Sequence, residues 1–329
     1  MDVLIIGGTG IISTFVVRKC IEKGFNVTVL NRGSSNEKLP KEVNVLTGDI
    51  QNEEEVKILL NDQYFDSVIQ FVAFTKKQVE RDVRLFKEKT DQYVFISSAS
   101  AYQKPTKDYP ITEATPLHNP YWDYSRNKIA CETYLNTVSD MNITIVRPSH
   151  TYNNTMIMSA MTRWQYDYAH IKRLLEGKPI IIPGDGTSVW TITHGSDFAN
   201  SFVYLIGNKD AYNEVYHLTG EQLYTWEQLT EILANALGVK PNITHIPSDF
   251  IVKHMPEMEG PLLGDKTWSA IFDNSKIKAI SKEYTSIVGY EDVVGEVIQY
   301  YEENPEMQKV SEDYENLYDK VIDLYLNKG

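Results

Sequence analysis

The sequence predicts an α/β protein built on a doubly wound parallel sheet, with a smaller C-terminal lobe. Three observations carry that expectation. Short apolar runs alternate with amphipathic stretches through the first half of the chain, a glycine-rich turn follows the first run, and the rhythm changes after Arg147-Pro148. At 329 residues the chain is long for one compact unit, so a main domain with a smaller lobe is the prior.

Residues 3–6 are continuously apolar, as a strand buried on both faces would be. Gly7-Gly8-Thr9-Gly10 follows, and an amphipathic helix over 11–23 closes at Gly24. Further strands are expected at 25–30, 43–46, 67–72, 93–97 and 143–146, with helices at 53–60, 77–87 and 125–138. Strand and helix at this spacing make right-handed βαβ units and hence a parallel sheet. Beyond Pro148, residues 156–176 read as a helix whose Trp164, Tyr166 and Tyr168 suit core packing or a ligand platform. Strands at 179–183, 190–193 and 215–218 and a helix at 197–206 follow, and the acidic tail 300–328 reads as a solvated amphipathic helix. The boundary falls near Tyr152: 1–152 form the main domain, 189–212 return to it, and 153–188 with 213–329 form the lobe.

Composition narrows the function. A formal charge of −13 disfavours anionic partners such as nucleic acid or acidic membrane. The two cysteines, Cys20 and Cys131, sit singly in apolar helical contexts, which favours buried reduced thiols over a disulfide or redox pair. The start of the chain has no basic region or cleavage site, and no apolar run reaches membrane-spanning length, so a cytoplasmic protein is expected. No His, Asp and Glu grouping has metal-ligand spacing.

The turn Gly7-Gly8-Thr9-Gly10-Ile11-Ile12-Ser13 lies between a strand and a helix, where such a motif binds a dinucleotide pyrophosphate. Glycine permits the tight turn, the missing side chain admits the phosphates, and the helix start offers free N–H groups. Ser13 stands where the last glycine is usual, implying a slightly looser helix–strand contact. After the second strand, Asn31 removes the charge that would repel a 2′-phosphate, and Arg32 can pair with one. NADP(H) is therefore favoured over NAD(H); the alternative, with Arg32 an ordinary surface residue and NAD the cofactor, stays open. Asp49 suits a carboxylate accepting from the adenine amino group.

Tyr124 and Lys128, four apart at the start of a helix, share one face. A phenol of pKa ~10 is a poor acid or base near neutrality, and a neighbouring ammonium brings it into range. Ser98, at the end of the fifth expected strand, can hydrogen-bond a carbonyl or alcohol oxygen. Together these residues make a catalytic set.

With these motifs in place, the chain resembles the extended short-chain dehydrogenase/reductase family, the NAD-dependent epimerase/dehydratase group, over nearly its whole length. The matching pieces also include Gly48-Asp49-Ile50, Ser97-Ser98, Arg147-Pro148, Gly184-Asp185-Gly186-Thr187 and Asp197-Phe198-Ala199. The resemblance implies a Rossmann-type sheet of about seven parallel strands, a C-terminal substrate lobe and often a homodimer. It also implies that Tyr124 is the acid/base and that Lys128 binds the nicotinamide ribose. The expected cofactor contacts are Gly7, Thr9, Gly10, Ile11, Ile12, Asn31, Arg32, Asp49, Ile50, Phe71, Lys128 and Pro148, with Ser100, His150 and Trp190 toward substrate.

Several positions depart from the family pattern. Residues 74–92 are short, His150 replaces the usual asparagine, and Trp190 stands where nucleotide-sugar enzymes carry a diphosphate-binding arginine. A nucleotide-sugar substrate therefore does not follow, and the departures resemble a divergent branch that includes plastid stem-loop RNA-binding proteins. His150 suits either a ligand contact or a backbone-satisfied structural role; His194 suits the structural role. Ala99 and Ser100 occupy the positions where sugar 4,6-dehydratases carry Asp and Glu, which disfavours elimination. The expectation is an NAD(P)-dependent oxidoreductase or epimerase acting on a small, sugar-derived hydroxyl or carbonyl substrate; the alternative is a non-catalytic cofactor-binding or RNA-binding protein on the same fold.

Overall fold

A computed structural model describes residues 1–163 and 165–327; Trp164 and the last position of the expected tail helix, Lys328, lie outside the described residues. The strands are β1 (Asp2–Ile6), β2 (Asn26–Asn31), β3 (Asn44–Thr47), β4 (Phe65–Gln70), β5 (Thr90–Ile96), β6 (Ile143–Pro148), β7 (His150–Tyr152), β8 (Pro179–Pro183), β9 (Val189–His194), β10 (Val215–Leu218), β11 (Leu223–Thr225) and β12 (Asn242–Ile246). Seven of them form a sheet in the order β10-β6-β5-β4-β1-β2-β3, parallel throughout. This is a Rossmann-type α/β fold.

Alternation along each strand feeds two cores. Val3 and Ile5 of β1 join Val16, Val17, Phe198 and Phe202 from the helices Ser13–Glu22 and Gly195–Phe202 on one face. Leu4 and Ile6 join Val56, Val79 and Cys131 from Glu53–Leu60, Lys76–Phe86 and Asp123–Leu135 on the other. Both cysteines are fully buried, and burial pushes Cys20 up to about 12 and Cys131 up to about 11. A third core, in the C-terminal half, gathers Tyr152, Met158, Trp190, Trp226, Leu229, Tyr290 and Tyr318. It lies under β7-β9-β11 and β8-β12. Strand β10, beyond the expected boundary, is the edge of the main sheet beside β6. No described helix is long and apolar enough to cross a membrane.

Several elements differ from expectation, and β9, in the 189–212 segment expected to return to the main domain, pairs instead with β7 and β11 in a separate sheet. Strand β4 covers Phe65–Gln70, two residues earlier than expected, because the Gln70 side chain turns back and accepts from Val72 N–H at 2.7 Å. The expected helix over 156–176 is confined to Tyr168–Leu175. Ahead of it, Asn153 accepts from the N–H of Thr155, Ser159 from that of Met161, and the Tyr290 hydroxyl from that of Met158. These side chains take the N–H groups a helix would need.

The tail forms helices Tyr290–Glu303 and Glu312–Leu326, and it is not simply solvated. Tyr314, Tyr318, Val321 and Ile322 bury one face in the lobe core.

Candidate active site

Parallel pairing brings the carboxyl ends of all main-sheet strands to one edge, and the glycine turn opens there between β1 and the helix Ser13–Glu22. Gly7 has φ +84°, and a Cβ on it would sit 2.4 Å from Val72, in the turn after β4. The turn is therefore a tight backbone cradle at the point where the strand order reverses, between β1 and β4. Ser13 packs more tightly than expected: it is 1% exposed, and its hydroxyl accepts from Gly10 N–H at 2.8 Å. Among the described residues the N–H groups of Ile11 and Ile12 have no acceptor, leaving free donors at the helix start.

The adenosine-side candidates line the same edge. Asn31 ends β2; its Oδ1 accepts from Gly33 N–H at 3.0 Å, while its Nδ2 is buried without a partner. Arg32 is exposed and makes no hydrogen bond or ion pair among the described residues. Asp49 accepts from Gln51 N–H at 2.9 Å, Ile50 packs in the core, and the half-buried Phe71 ring lies 6.2 Å from that of Phe202. The glycine cradle and the unpartnered Asn31 amide suit a dinucleotide.

A cleft of about 410 Å³ runs from that turn. Ile11, Ser98, Ser100, Tyr124, Pro148, His150 and Trp190 all line it, although they are up to 179 residues apart. Gly7, Thr9, Gly10, Ile12, Asn31, Arg32, Asp49, Ile50, Phe71 and Lys128 are not among its lining residues.

The helix Asp123–Leu135 carries Tyr124 and Lys128. Burial raises the pKa of the Tyr124 phenol, and the neighbouring Ser98 hydroxyl opposes the rise. Lys128 is 1% exposed and donates to the carbonyls of Ala73 at 2.8 Å and Ile96 at 2.7 Å. Its ammonium lies 4.7–4.8 Å from the Phe95 and Phe74 ring centroids and 5.9 Å from that of Tyr124. Burial pushes it down to about 8. Behind these groups, Ser100 bridges the hydroxyls of Ser98 at 2.9 Å and Ser125 at 2.8 Å. Arg147 and Glu132 form a buried ion pair that also holds Ser97.

His150 stands edge-on to Trp190 and Trp226 with ring centroids 6.2 and 6.0 Å away. Burial, followed by the charge of Lys266, pushes it down to about 3, so it is neutral. Among the described residues its ring nitrogens have no hydrogen-bond partner. Trp190 is 3% exposed, and its indole N–H donates to the Lys266 carbonyl, so it supports the cleft wall more than it offers a polar contact. His194 caps the helix Gly195–Phe202, accepting from Ser196 N–H.

Sequence reasoning missed Lys104, Trp122, Asp265, Ala270 and Phe272, which also line the cleft. Residues 265–272 arrive through bridges between Ala270 and Trp190 and between Phe272 and Ile111, and no local motif announces them.

Comparison with known proteins agrees with this geometry. The chain is 28% identical over 267 residues to the chloroplast stem-loop binding protein of 41 kDa b from Arabidopsis thaliana, covering 75% of this chain and 67% of that one. It is 24% identical over 287 residues to 2′-dehydrokanamycin reductase from Streptomyces kanamyceticus, covering 86% and 80%. In fold it is similar to an epimerase from Methanothermobacter thermautotrophicus, with a TM-score of 0.74 at 16% identity over 93% of this chain and 94% of that one. The family model for NAD dependent epimerase/dehydratase proteins matches residues 3–218, and the chain belongs to that family.

Proposed function

We propose that this protein oxidises and reduces a hydroxyl or carbonyl carbon of a sugar-derived substrate, as a reductase or an epimerase, with Tyr124 as acid/base. The observation that carries the reading is a phenol that shares with Ser98 a cleft reaching the glycine turn, beside a buried ammonium. In the oxidative direction the Tyr124 phenolate takes the substrate hydroxyl proton while Ser98 holds the oxygen. Lys128, low in pKa and aimed at the aromatic wall, lends positive charge to the phenolate. A bound nicotinamide supplies the hydride acceptor or donor. Gly7, Gly10, Ile11 and Ile12 would hold its pyrophosphate, and Lys128 its ribose.

Elimination is disfavoured. Ala99 is buried and apolar, and the Ser100 hydroxyl is engaged by two other serines. The test is a panel of sugars and nucleotide sugars assayed for dinucleotide reduction and for 4-keto-6-deoxy products. Tyr124→Phe is expected to lose turnover by about 10²–10⁴-fold while cofactor affinity holds; near wild-type turnover in that variant would refute the assignment.

We further infer a preference for NADP(H), supported by Asn31 and by the free, exposed Arg32 at the end of β2. Titration of both cofactors by tryptophan quenching decides it. Tighter NAD binding that Arg32→Ala leaves unchanged would overturn the preference.

The name of the Arabidopsis relative favours a second reading, an RNA-binding protein on the same fold. The complete Ser98, Tyr124 and Lys128 set and the charge of −13 weigh against it. A salt-dependent gel shift with stem-loop RNA would separate the two.

A further inference from the structure

We propose that Lys104 and Asp265 form a paired donor–acceptor subsite that reads two neighbouring hydroxyls of the substrate's sugar ring. This specificity determinant rests on the oxidoreductase reading above and names what that cleft selects.

Lys104 is 3% exposed and Asp265 is 9% exposed, yet both line the cleft that holds Ser98 and Tyr124. Among the described residues neither side chain makes a hydrogen bond or an ion pair. Burial pushes the Asp265 pKa up, opposed by the charge of Lys266 and then by that of Lys104, and pushes the Lys104 pKa down, opposed by the charge of Asp265. Buried charges are ordinarily paired and hydrogen-bonded. A cation and an anion facing one cleft without direct contact leave a gap suited to a ligand that bonds to both.

Their mounting is rigid. The Asn119 side-chain amide, 2% exposed, donates to the Ser100 carbonyl at 2.8 Å and to the Gly264 carbonyl at 2.7 Å. One side chain thus ties the serine loop to the turn carrying Asp265. Lys104 is anchored by its own N–H, which donates to the His118 carbonyl at 2.8 Å.

The chemistry selects the ligand. A carboxylate only accepts hydrogen bonds and an ammonium only donates them, whereas a hydroxyl does both. A vicinal diol satisfies the pair: one hydroxyl donates to Asp265 and its neighbour accepts from Lys104. A diphosphate would satisfy Lys104 but set its negative charge against Asp265, and an ammonium group would do the reverse. Trp122, half-buried in the same wall, offers an apolar ring edge for sugar C–H groups.

The test uses the NADP-saturated protein and saturation-transfer NMR. The probes are methyl glycosides of gluco, galacto, manno and xylo configuration, with UDP as the diphosphate probe. At least one glycoside is expected to bind, and Lys104→Met and the isosteric Asp265→Asn should each weaken it about tenfold without changing cofactor affinity. No binding by any glycoside, or binding that survives both substitutions, would overturn the proposal. So would UDP binding that Lys104→Met weakens and Asp265→Asn strengthens. Failure of the oxidoreductase reading shows elsewhere, as absent cofactor binding or as turnover indifferent to Tyr124→Phe.

Discussion

Lys128 shows how far a residue's role can be read before its surroundings are known. Spacing placed it one helical turn from Tyr124, but only the fold shows its ammonium held by two backbone carbonyls and lying beside the Phe95 ring. Burial lowers its pKa from 10.5 to about 8. Between those values the unfolded chain holds a proton that the folded chain has released, so stability contributed by this group rises with pH across that window. In cofactor-free protein, the stability of wild type relative to Lys128→Met should increase by on the order of 2–3 kcal/mol between pH 7.5 and 10.5. Urea unfolding at several pH values measures it, and a flat difference would show the lysine unperturbed. Ser98, Tyr124 and Lys128 were legible because a motif fixes their spacing. Lys104 and Asp265 were not, since a buried charge carries no local signature and their sharing one cleft depends on Asn119 joining Ser100 to Gly264, 164 residues apart.

Among the elements, the glycine turn was readable to within two residues, the helix beginning at Ser13 and not at Ile11, because strand, turn and helix are consecutive and their periodicities change sharply. The end of β4 was less so: 67–72 is apolar enough to continue as strand, but the Gln70 side chain captures Val72 N–H and turns the chain against Gly7. That contact yields a prediction. Gly7→Ala places a Cβ 2.4 Å from Val72 at φ +84°, a backbone state that costs an L-residue about 1–2 kcal/mol before any clash. Thermal unfolding should show a lower Tm and no upward shift on adding NADP; a ligand-induced shift equal to wild type would contradict it. The 156–176 stretch misled for a related reason, as Asn153, Ser159 and the distant Tyr290 satisfy its backbone in place of a helix.

At the scale of the molecule, the C-terminal helix Glu312–Leu326 closes the lobe. Arg173 stacks 4.1 Å from the Tyr318 ring centroid and pairs with Glu315 and Asp319, and the Tyr318 hydroxyl accepts from Ile181 N–H at 2.6 Å. Tyr318→Ala should cost about 3–5 kcal/mol, read by urea unfolding; a loss no larger than that of a surface substitution would show the helix dispensable. The sequence by itself determined the parallel sheet, the glycine turn and the Tyr124–Lys128 spacing on one helix face, because local periodicity and short βαβ connections specify them. Only the tertiary structure decided that β10 returns to the sheet edge, that the acidic tail buries its tyrosines, and that Lys104 and Asp265 face one cleft. Each of these joins segments distant in the chain, where packing and charge burial, which leave no period in the sequence, choose the partners.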